Sequence, residues 1–322
     1  MAKIENEILM GKTLVWKGEF DLGNNFIPEI ICTNRKNEFS VSKGDSLINI
    51  VLTAKANTKE VSLTANENIT YENLEKVLFE LLKYENIFDG RFYTTTELKL
   101  DGMDITSVIS PKWLSYFKSK KSYTYICLKY DDDAEYKSLF QQWNEMCDNL
   151  DIIHQMYLYS CYSSDITPDV KLALLLQTFE PIADMLYDKG KISFSKMPYI
   201  TKPIECDHCR QIISVNIKNK GVHFLDRIKA IIDKYGAGIF DDDNKEVMIE
   251  KAVNLRNKVV HLDYKQTDVL SGEQSGVYIY KFSLLYRNII LNELGLESSG
   301  YNAVIENWIR NFDREYIHYR IK

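Results

Sequence analysis

Apolar residues at helical spacing dominate the chain from residue 131 onward. They recur three and four positions apart, as in helices that bury one face. Asp131–Asp133 precedes the first such segment, and carboxylates favour a helix start. Thr167 and Pro168 mark the start of the second, since Thr can cap and Pro suits the first turn. The pattern predicts helices over about 134–163, 168–190, 222–235, 245–263, 277–293 and 301–312.

Residues 1–130 show another pattern, in which short apolar and β-branched runs alternate with turns rich in Gly, Asn and Lys. The runs predict strands over 13–21, 26–33, 38–41, 46–54, 60–63, 91–100 and 123–130, with helices over about 71–86 and 111–118. The sequence therefore predicts an α+β protein, with a β-rich domain at 1–130 and an all-helical domain at 131–322. The first domain contains no His and no Gly-rich phosphate loop, which favours a sensing or regulatory role.

Composition narrows the classes of function. The 322 residues carry a formal net charge of −6, which argues against broad, nonspecific nucleic-acid binding but allows a local cationic site. No apolar run approaches membrane-spanning length, and the start of the chain lacks a signal-peptide pattern. We therefore expect a cytoplasmic protein.

The helix predicted over 245–263 carries the most informative segment, Arg256-Asn257-Lys258-Val259-Val260-His261. Arg offers a permanent cation with a fork of donors that fits phosphate, and His exchanges protons near neutrality. On a helix Asn257 and Lys258 flank His261, whereas Arg256 points roughly 140° away. Its side chain either swings back toward the imidazole or reaches a phosphate held by a second copy of the helix. The alternative is a purely structural role, in which a surface Arg and Lys lie beside a half-buried His that ends a helix.

This segment resembles the R-x4-6-H signature of HEPN-domain ribonucleases, in the form with Asn directly after Arg. Leu284–Gly295 is similar to the closing helix of ApeA-like HEPN domains. Phe179-Glu180 lies where that family often has an acidic residue facing the site. A β domain followed by a HEPN domain is similar to ApeA-type anti-phage defence proteins and other abortive-infection factors.

The resemblance implies a metal-independent endoribonuclease that acts in phage defence or as a toxin and leaves a 2′,3′-cyclic phosphate. His261 would be the general base or acid, Arg256 would stabilise the charged phosphate, and Asn257 would fix the imidazole or a phosphate oxygen. Lys258 and Glu180 would contact the substrate, although Glu180 also fits a solvated helix position. The resemblance also implies an RNA substrate, a homodimer with a composite site, and a possible phage-derived trigger. The alternatives are a non-catalytic module that binds RNA or nucleotides, and a protein whose helices serve assembly.

Catalysis of this kind needs no cofactor, but two other groups raise the question of a metal. Cys206 and Cys209 have the spacing of half a zinc site, which His208, His223, Cys161 or a second subunit could complete. The alternative is a reduced pair in a loop, as expected for six scattered Cys without a leader. Asp241–Asp243 could bind a divalent cation, but a capped, solvated helix start is the favoured interpretation.

Overall fold

The protein divides into two compact units, Met1–Thr167 with Ile290–Ile305, and Pro168–Ile289 with Glu306–Lys322. The computed structural model describes residues 8–9, 11–19, 35–43, 45–55, 58–89, 94–108, 133–163, 165–194, 199–205, 208–218, 223–241, 243–296, 316 and 318–321. Across these ranges, no helix combines the length and apolar character that a membrane crossing needs.

The described strands of the first unit are β1 (Ile8–Leu9), β2 (Thr13–Glu19), β3 (Arg35–Lys43), β4 (Ser46–Lys55), β5 (Thr58–Ala65), β6 (Ile69–Thr70), β7 (Thr94–Leu100) and β8 (Met103–Asp104). Among them, β3-β4-β5-β2-β7-β8 form one antiparallel sheet in that order, and β1 pairs separately with β6. In β4 the alternating residues Ile48, Ile50 and Leu52 are fully buried, because successive strand residues face opposite sides of the sheet. Helix α1 (Tyr71–Asp89) contacts β5 and β6.

Helix α2 (Asp133–Tyr162) also belongs to the first unit, where it contacts β3 and α1. The ring of Tyr136 lies 5.1 Å from that of Phe39, and Trp143 Nε1 donates a hydrogen bond of 3.1 Å to the carbonyl oxygen of Glu80. The sequence-based boundary at residue 130 assigned this helix to the second domain. Its apolar stripe packs on the first unit instead, because periodicity shows that a helix has a buried face but not which partner covers it.

The second unit contains helices α3 to α6 and an antiparallel hairpin of strands β9 and β10. These elements are α3 (Pro168–Asp188), β9 (Tyr199–Glu205), β10 (Ile212–Lys218), α4 (Phe224–Tyr235), α5 (Lys245–Val260) and α6 (Gly272–Glu293, whose last residues fall in the first unit). Phe179 of α3 packs edge-on against Phe282 of α6, at 5.7 Å between ring centroids. The α+β fold class is confirmed, but the prediction that the second domain is all-helical is wrong, since it missed the hairpin.

The helices predicted over 134–163, 168–190, 222–235, 245–263 and 277–293 all form, with ends shifted by a few residues. The largest shift is at the start of α6, which begins at Gly272. The most consequential is at the end of α5, because His261 is the residue after the helix rather than part of it. The strands predicted over 26–33 and 123–130 and the helices predicted over 111–118 and 301–312 lie outside the described residues.

Candidate functional site

Arg256 lies on the buried stripe of α5 rather than on its solvated face. It follows Ala252 by four positions and Ile249 by seven, and residues at these intervals share a helix face. Both are buried, and only 6% of Arg256 is exposed. The Asn244 side chain accepts a hydrogen bond from the backbone N–H of Val247 and caps the start of the helix. The sequence therefore carries a guanidinium into the contact between α5 and α3.

The buried guanidinium of Arg256 holds four side chains around it. Its Nε donates to Gln177 Oε1 at 2.8 Å, and its Nη2 donates to Glu180 Oε2 at 2.7 Å. Its Nη1 lies 3.1 Å from Asn257 Oδ1 and 2.8 Å from His261 Nε2. Among the described residues these contacts use one N–H of Nε, two of Nη1 and one of Nη2, four of the five donors of the group. Arg256 is therefore the centre of the site.

The partners of Arg256 on α3 belong to a row of polar residues beside the buried stripe. Gln177, Glu180 and Asp184 are spaced by three and four positions and share one face. Arg227 of α4 donates to both carboxylate oxygens of Asp184 at 3.2 Å and lies 3.6 Å from Glu180 Oε1. Two guanidinium groups thus face two carboxylates, so the positive and negative charges of this partly buried group cancel.

Phe224, the first residue of α4, covers the guanidinium of Arg256 on one side. The Cζ atom of Arg256 lies 4.7 Å from the centre of the Phe224 ring, within the range of a cation–π contact. None of Gln177, Phe224, Asp184 and Arg227 was predicted from the sequence to be a site residue. The spacing of Gln177, Glu180 and Asp184 was a usable signal, whereas the contacts from α4 arise from tertiary packing alone.

His261 differs from Arg256 in being exposed to solvent. It follows the last residue of α5, and its backbone N–H donates to the Asn257 carbonyl oxygen at 3.0 Å, closing the final turn. Because Arg256 is always protonated, Nη1 donates and Nε2 of His261 accepts.

The structure brings together four of the five residues to which the sequence analysis gave catalytic or substrate-binding roles: Arg256, Asn257, His261 and Glu180. Of the two alternatives for Arg256, its side chain takes the first and swings back to the imidazole of its own chain. Asn257 and Glu180 contact Arg256, so both shape the site through it. Lys258 is exposed in the last turn of α5, where a cation also complements the helix dipole.

The predicted zinc site stays a prediction. Cys206 lies outside the described residues, and Cys209 is an exposed free thiol. Within the described ranges, no three His, Cys, Asp or Glu side chains are grouped to hold a metal ion. In the acidic run near α5, Asp243 is buried and accepts from Lys281 Nζ at 2.6 Å. The expectation that this run is solvated is therefore wrong for Asp243, because a buried cation neutralises it.

The arrangement joins a buried, fixed cation to an exposed proton acceptor. The hydrogen bonds to Gln177, Glu180 and Asn257 hold the guanidinium in one orientation. Within the described residues, His261 is exposed to solvent. Such a pair can accept a proton at Nε2 and place positive charge beside a developing oxyanion.

Residues 175–299 match the model of the Apea-like HEPN family. The matched segment begins in α3 and contains α4, α5 and α6, so it includes Gln177, Glu180, Arg256 and His261. No curated protein and no solved structure shows significant similarity to the chain.

Proposed function

We propose that the protein is a metal-independent endoribonuclease, because residues 175–299 match the model of the Apea-like HEPN family and Arg256–His261 resembles the R-x4-6-H signature of HEPN ribonucleases. It acts in the cytoplasm, in anti-phage defence or as a toxin. The observation that carries this proposal is the contact of 2.8 Å between Arg256 Nη1 and His261 Nε2. It joins the two side chains that metal-free RNA cleavage needs, a phosphate-binding cation and a proton acceptor.

In the proposed reaction the 2′-OH of a ribose donates to Nε2 of His261 in place of Arg256. It loses its proton as its oxygen attacks the adjacent phosphorus. The bond from phosphorus to the 5′-oxygen breaks, and that oxygen takes the proton that the 2′-OH gave to Nε2, which restores the imidazole of His261. The products are a 2′,3′-cyclic phosphate and a 5′-OH. Atoms balance without water or a metal ion, because the ribose itself supplies the nucleophile.

Arg256 then binds the phosphate. Once the 2′-OH occupies Nε2, the Nη1–H that pointed at the imidazole is free for a phosphate oxygen, next to the remaining Nη2–H. Two N–H groups from one planar guanidinium match the fork geometry of phosphate recognition. Glu180, Gln177 and Asn257 keep the group from turning away, and Lys258 adds positive charge on the exposed face of the helix.

We further propose a homodimer in which two copies of this site lie together and form a composite cleft, with a phage-derived trigger that activates it. The contact between Arg256 and His261 within one chain supports a complete pair in each copy. A second copy would then extend the substrate surface.

The test compares wild-type protein with His261→Ala and Arg256→Ala, using His318→Ala as a control at another exposed histidine. Growth of producing cells and the integrity of total RNA and tRNA are measured, and sedimentation reports self-association. We expect both site variants to abolish cleavage and toxicity while the control retains them. Wild-type protein that leaves RNA intact, even with phage lysate supplied, would instead favour the non-catalytic RNA- or nucleotide-binding module.

A further inference from the structure

The two most exposed large apolar side chains of the described residues lie directly after His261. Leu262 and Tyr264 each expose 82% of their surface. Val260, on the other side of His261, exposes 37%. Exposed apolar side chains are ordinary when scattered, but a group of them beside a functional site indicates a binding surface. From this group we infer that Leu262 and Tyr264 form a subsite for an unpaired RNA base next to the scissile phosphate, an inference that rests on the proposed ribonuclease function.

The loop that carries these side chains has a defined conformation. Leu262 has a φ of 53°, a left-handed conformation that is uncommon for residues other than Gly. The backbone N–H of Tyr264 donates to the Leu262 carbonyl oxygen at 3.0 Å. At the far end of the loop, Asn254 of α5 donates to the Asp268 carbonyl oxygen at 3.1 Å, and Lys251 pairs with the Asp268 carboxylate. The loop is thus tied to α5 at both ends.

Distance along the chain keeps the Tyr264 ring near the reacting groups. Tyr264 is three residues beyond His261, so their Cα atoms are separated by at most about 11 Å. This separation allows a base attached to either ribose of the scissile linkage to reach the ring. The flat faces of Tyr and a base stack without sequence preference, and Leu262 adds an apolar contact at the edge.

Charge in this loop fits a nucleic-acid strand. Lys258 and Lys265 are exposed on either side of the apolar pair. The nearby carboxylates have internal partners: Asp263 accepts from the backbone N–H of Lys265 at 3.2 Å and from Gln266 Nε2 at 3.2 Å, and Asp268 pairs with Lys251. Asp263 keeps its charge but is held toward the backbone of the loop, so Lys258 and Lys265 present the exposed charges that would meet phosphates beside a stacked base.

Size favours a base over a second protein surface as the occupant. A stable protein–protein interface buries roughly 800 Å² on each partner, so these two side chains alone do not make one, whereas a single base needs the area of one ring. One base covers an aromatic ring almost completely. Because bases in a duplex are stacked and paired, the subsite selects single-stranded RNA or loops.

The test measures the binding of a short, fluorescein-labelled single-stranded RNA by anisotropy, in the cleavage-blocked His261→Ala protein at fixed salt. Tyr264→Ala is expected to weaken binding about 5- to 150-fold, and Tyr264→Phe, which keeps the ring, to restore most of the affinity. Tyr319→Ala and Ile212→Ala are matched controls at side chains that are 43% and 73% exposed, and neither is expected to change the Kd. When the same RNA is annealed to its complement, the His261→Ala protein should bind it equally well with and without the Tyr264→Ala substitution.

Each outcome separates this inference from the ribonuclease proposal. An unchanged Kd in Tyr264→Ala overturns the base subsite, and cleavage by wild-type protein then still decides the function. If Tyr264→Ala lowers self-association but not RNA binding, the loop is a contact between copies and the inference is wrong. If Tyr264 governs RNA binding while wild-type protein cleaves nothing, the subsite stands and the ribonuclease proposal fails. If the His261→Ala protein binds no RNA, the base subsite is wrong, and cleavage by wild-type protein again decides the function.

Discussion

Arg256 and His261 meet within one chain, with Nη1 of the guanidinium 2.8 Å from Nε2 of the imidazole. Five positions separate them, and on a continuous helix they would point apart. They meet because the long Arg256 side chain swings back to the imidazole of His261, the residue that follows the end of α5. The buried member of the pair is fixed by three further side chains, and the exposed member is open to solvent.

Arg256→Lys tests whether the fork of donors matters or only the charge. A Lys ammonium is a compact point charge and cannot hold Gln177, Glu180 and His261 in one plane. We expect single-turnover cleavage to slow about 10²- to 10³-fold, as when a preorganised donor to a developing oxyanion is lost. Arg210→Lys, at an exposed position of the hairpin turn, serves as the control. Retention of the wild-type rate by Arg256→Lys would mean that the contacts of the guanidinium are dispensable.

Glu180→Gln tests the ion pair that holds Arg256. The substitution keeps the shape of the side chain but removes the charge opposite a guanidinium whose side chain is only 8% exposed. The Glu180 side chain is 33% exposed, so solvent reduces the cost, and we expect unfolding free energy to fall by about 1–2 kcal/mol. Urea denaturation measures it, with Glu250→Gln on the exposed face of α5 as the control. Equal midpoints for the two variants would show that Glu180 does not stabilise Arg256.

Asp243→Asn should cause a larger loss of stability than any substitution at the site. Asp243 and Lys281 are completely buried and lie 2.6 Å apart, so the variant leaves a buried cation without its carboxylate. Burial and the Asp243 charge also raise the pKa of Tyr278, whose hydroxyl donates to Asp243 at 3.1 Å. We expect a loss of about 3–5 kcal/mol by denaturation. The matched control is Asp241→Asn in the same acidic run, expected within about 0.5 kcal/mol of wild type; a comparable effect of both would contradict the assignment.

His154 should make the first unit sensitive to mild acid. Burial, together with the charge of Lys83, lowers the pKa of His154 to about 3. In the unfolded chain the imidazole takes a proton near pH 6.5, so between these values the unfolded state binds more protons and stability falls as pH falls. At about pH 5 the loss is about 2 kcal/mol relative to neutral pH.

The measurement for His154 is urea unfolding at neutral pH and at about pH 5, compared with His154→Phe. The variant keeps an aromatic ring beside Trp143, whose ring lies 4.4 Å from that of His154. Between neutral pH and about pH 5, the unfolding free energy of His154→Phe should fall by about 2 kcal/mol less than that of the wild-type protein. Parallel pH profiles for the two proteins would show that His154 is not the group responsible.

The end of α5 shows where sequence patterns stop being informative. The helix ends because Leu262 adopts the left-handed conformation that usually falls to Gly. Leu is a good helix former, so nothing in the sequence marks this end, and the pattern carried the predicted helix to residue 263. The apolar spacing before it was sufficient to place α5 and its buried stripe.

Other misses have similar physical causes. Pro203 sits in the middle of β9, and an interior Pro argues against a strand, so the hairpin with β10 was missed. The position of Gln177, one turn before Glu180, could have been read as part of the site. The contact of the Phe224 ring with Arg256 could not have been predicted from the sequence, because contacts between helices distant in sequence depend on how the helices pack.

The most direct test of the central claim is the chemistry of the cut ends of a defined RNA, incubated with wild-type or His261→Ala protein and EDTA. The account predicts 2′,3′-cyclic phosphate and 5′-OH ends from wild type alone, and no cleavage where the scissile nucleotide lacks its 2′-OH. Cleavage by His261→Ala at the wild-type rate, or cleavage of the 2′-deoxy substrate, would contradict it.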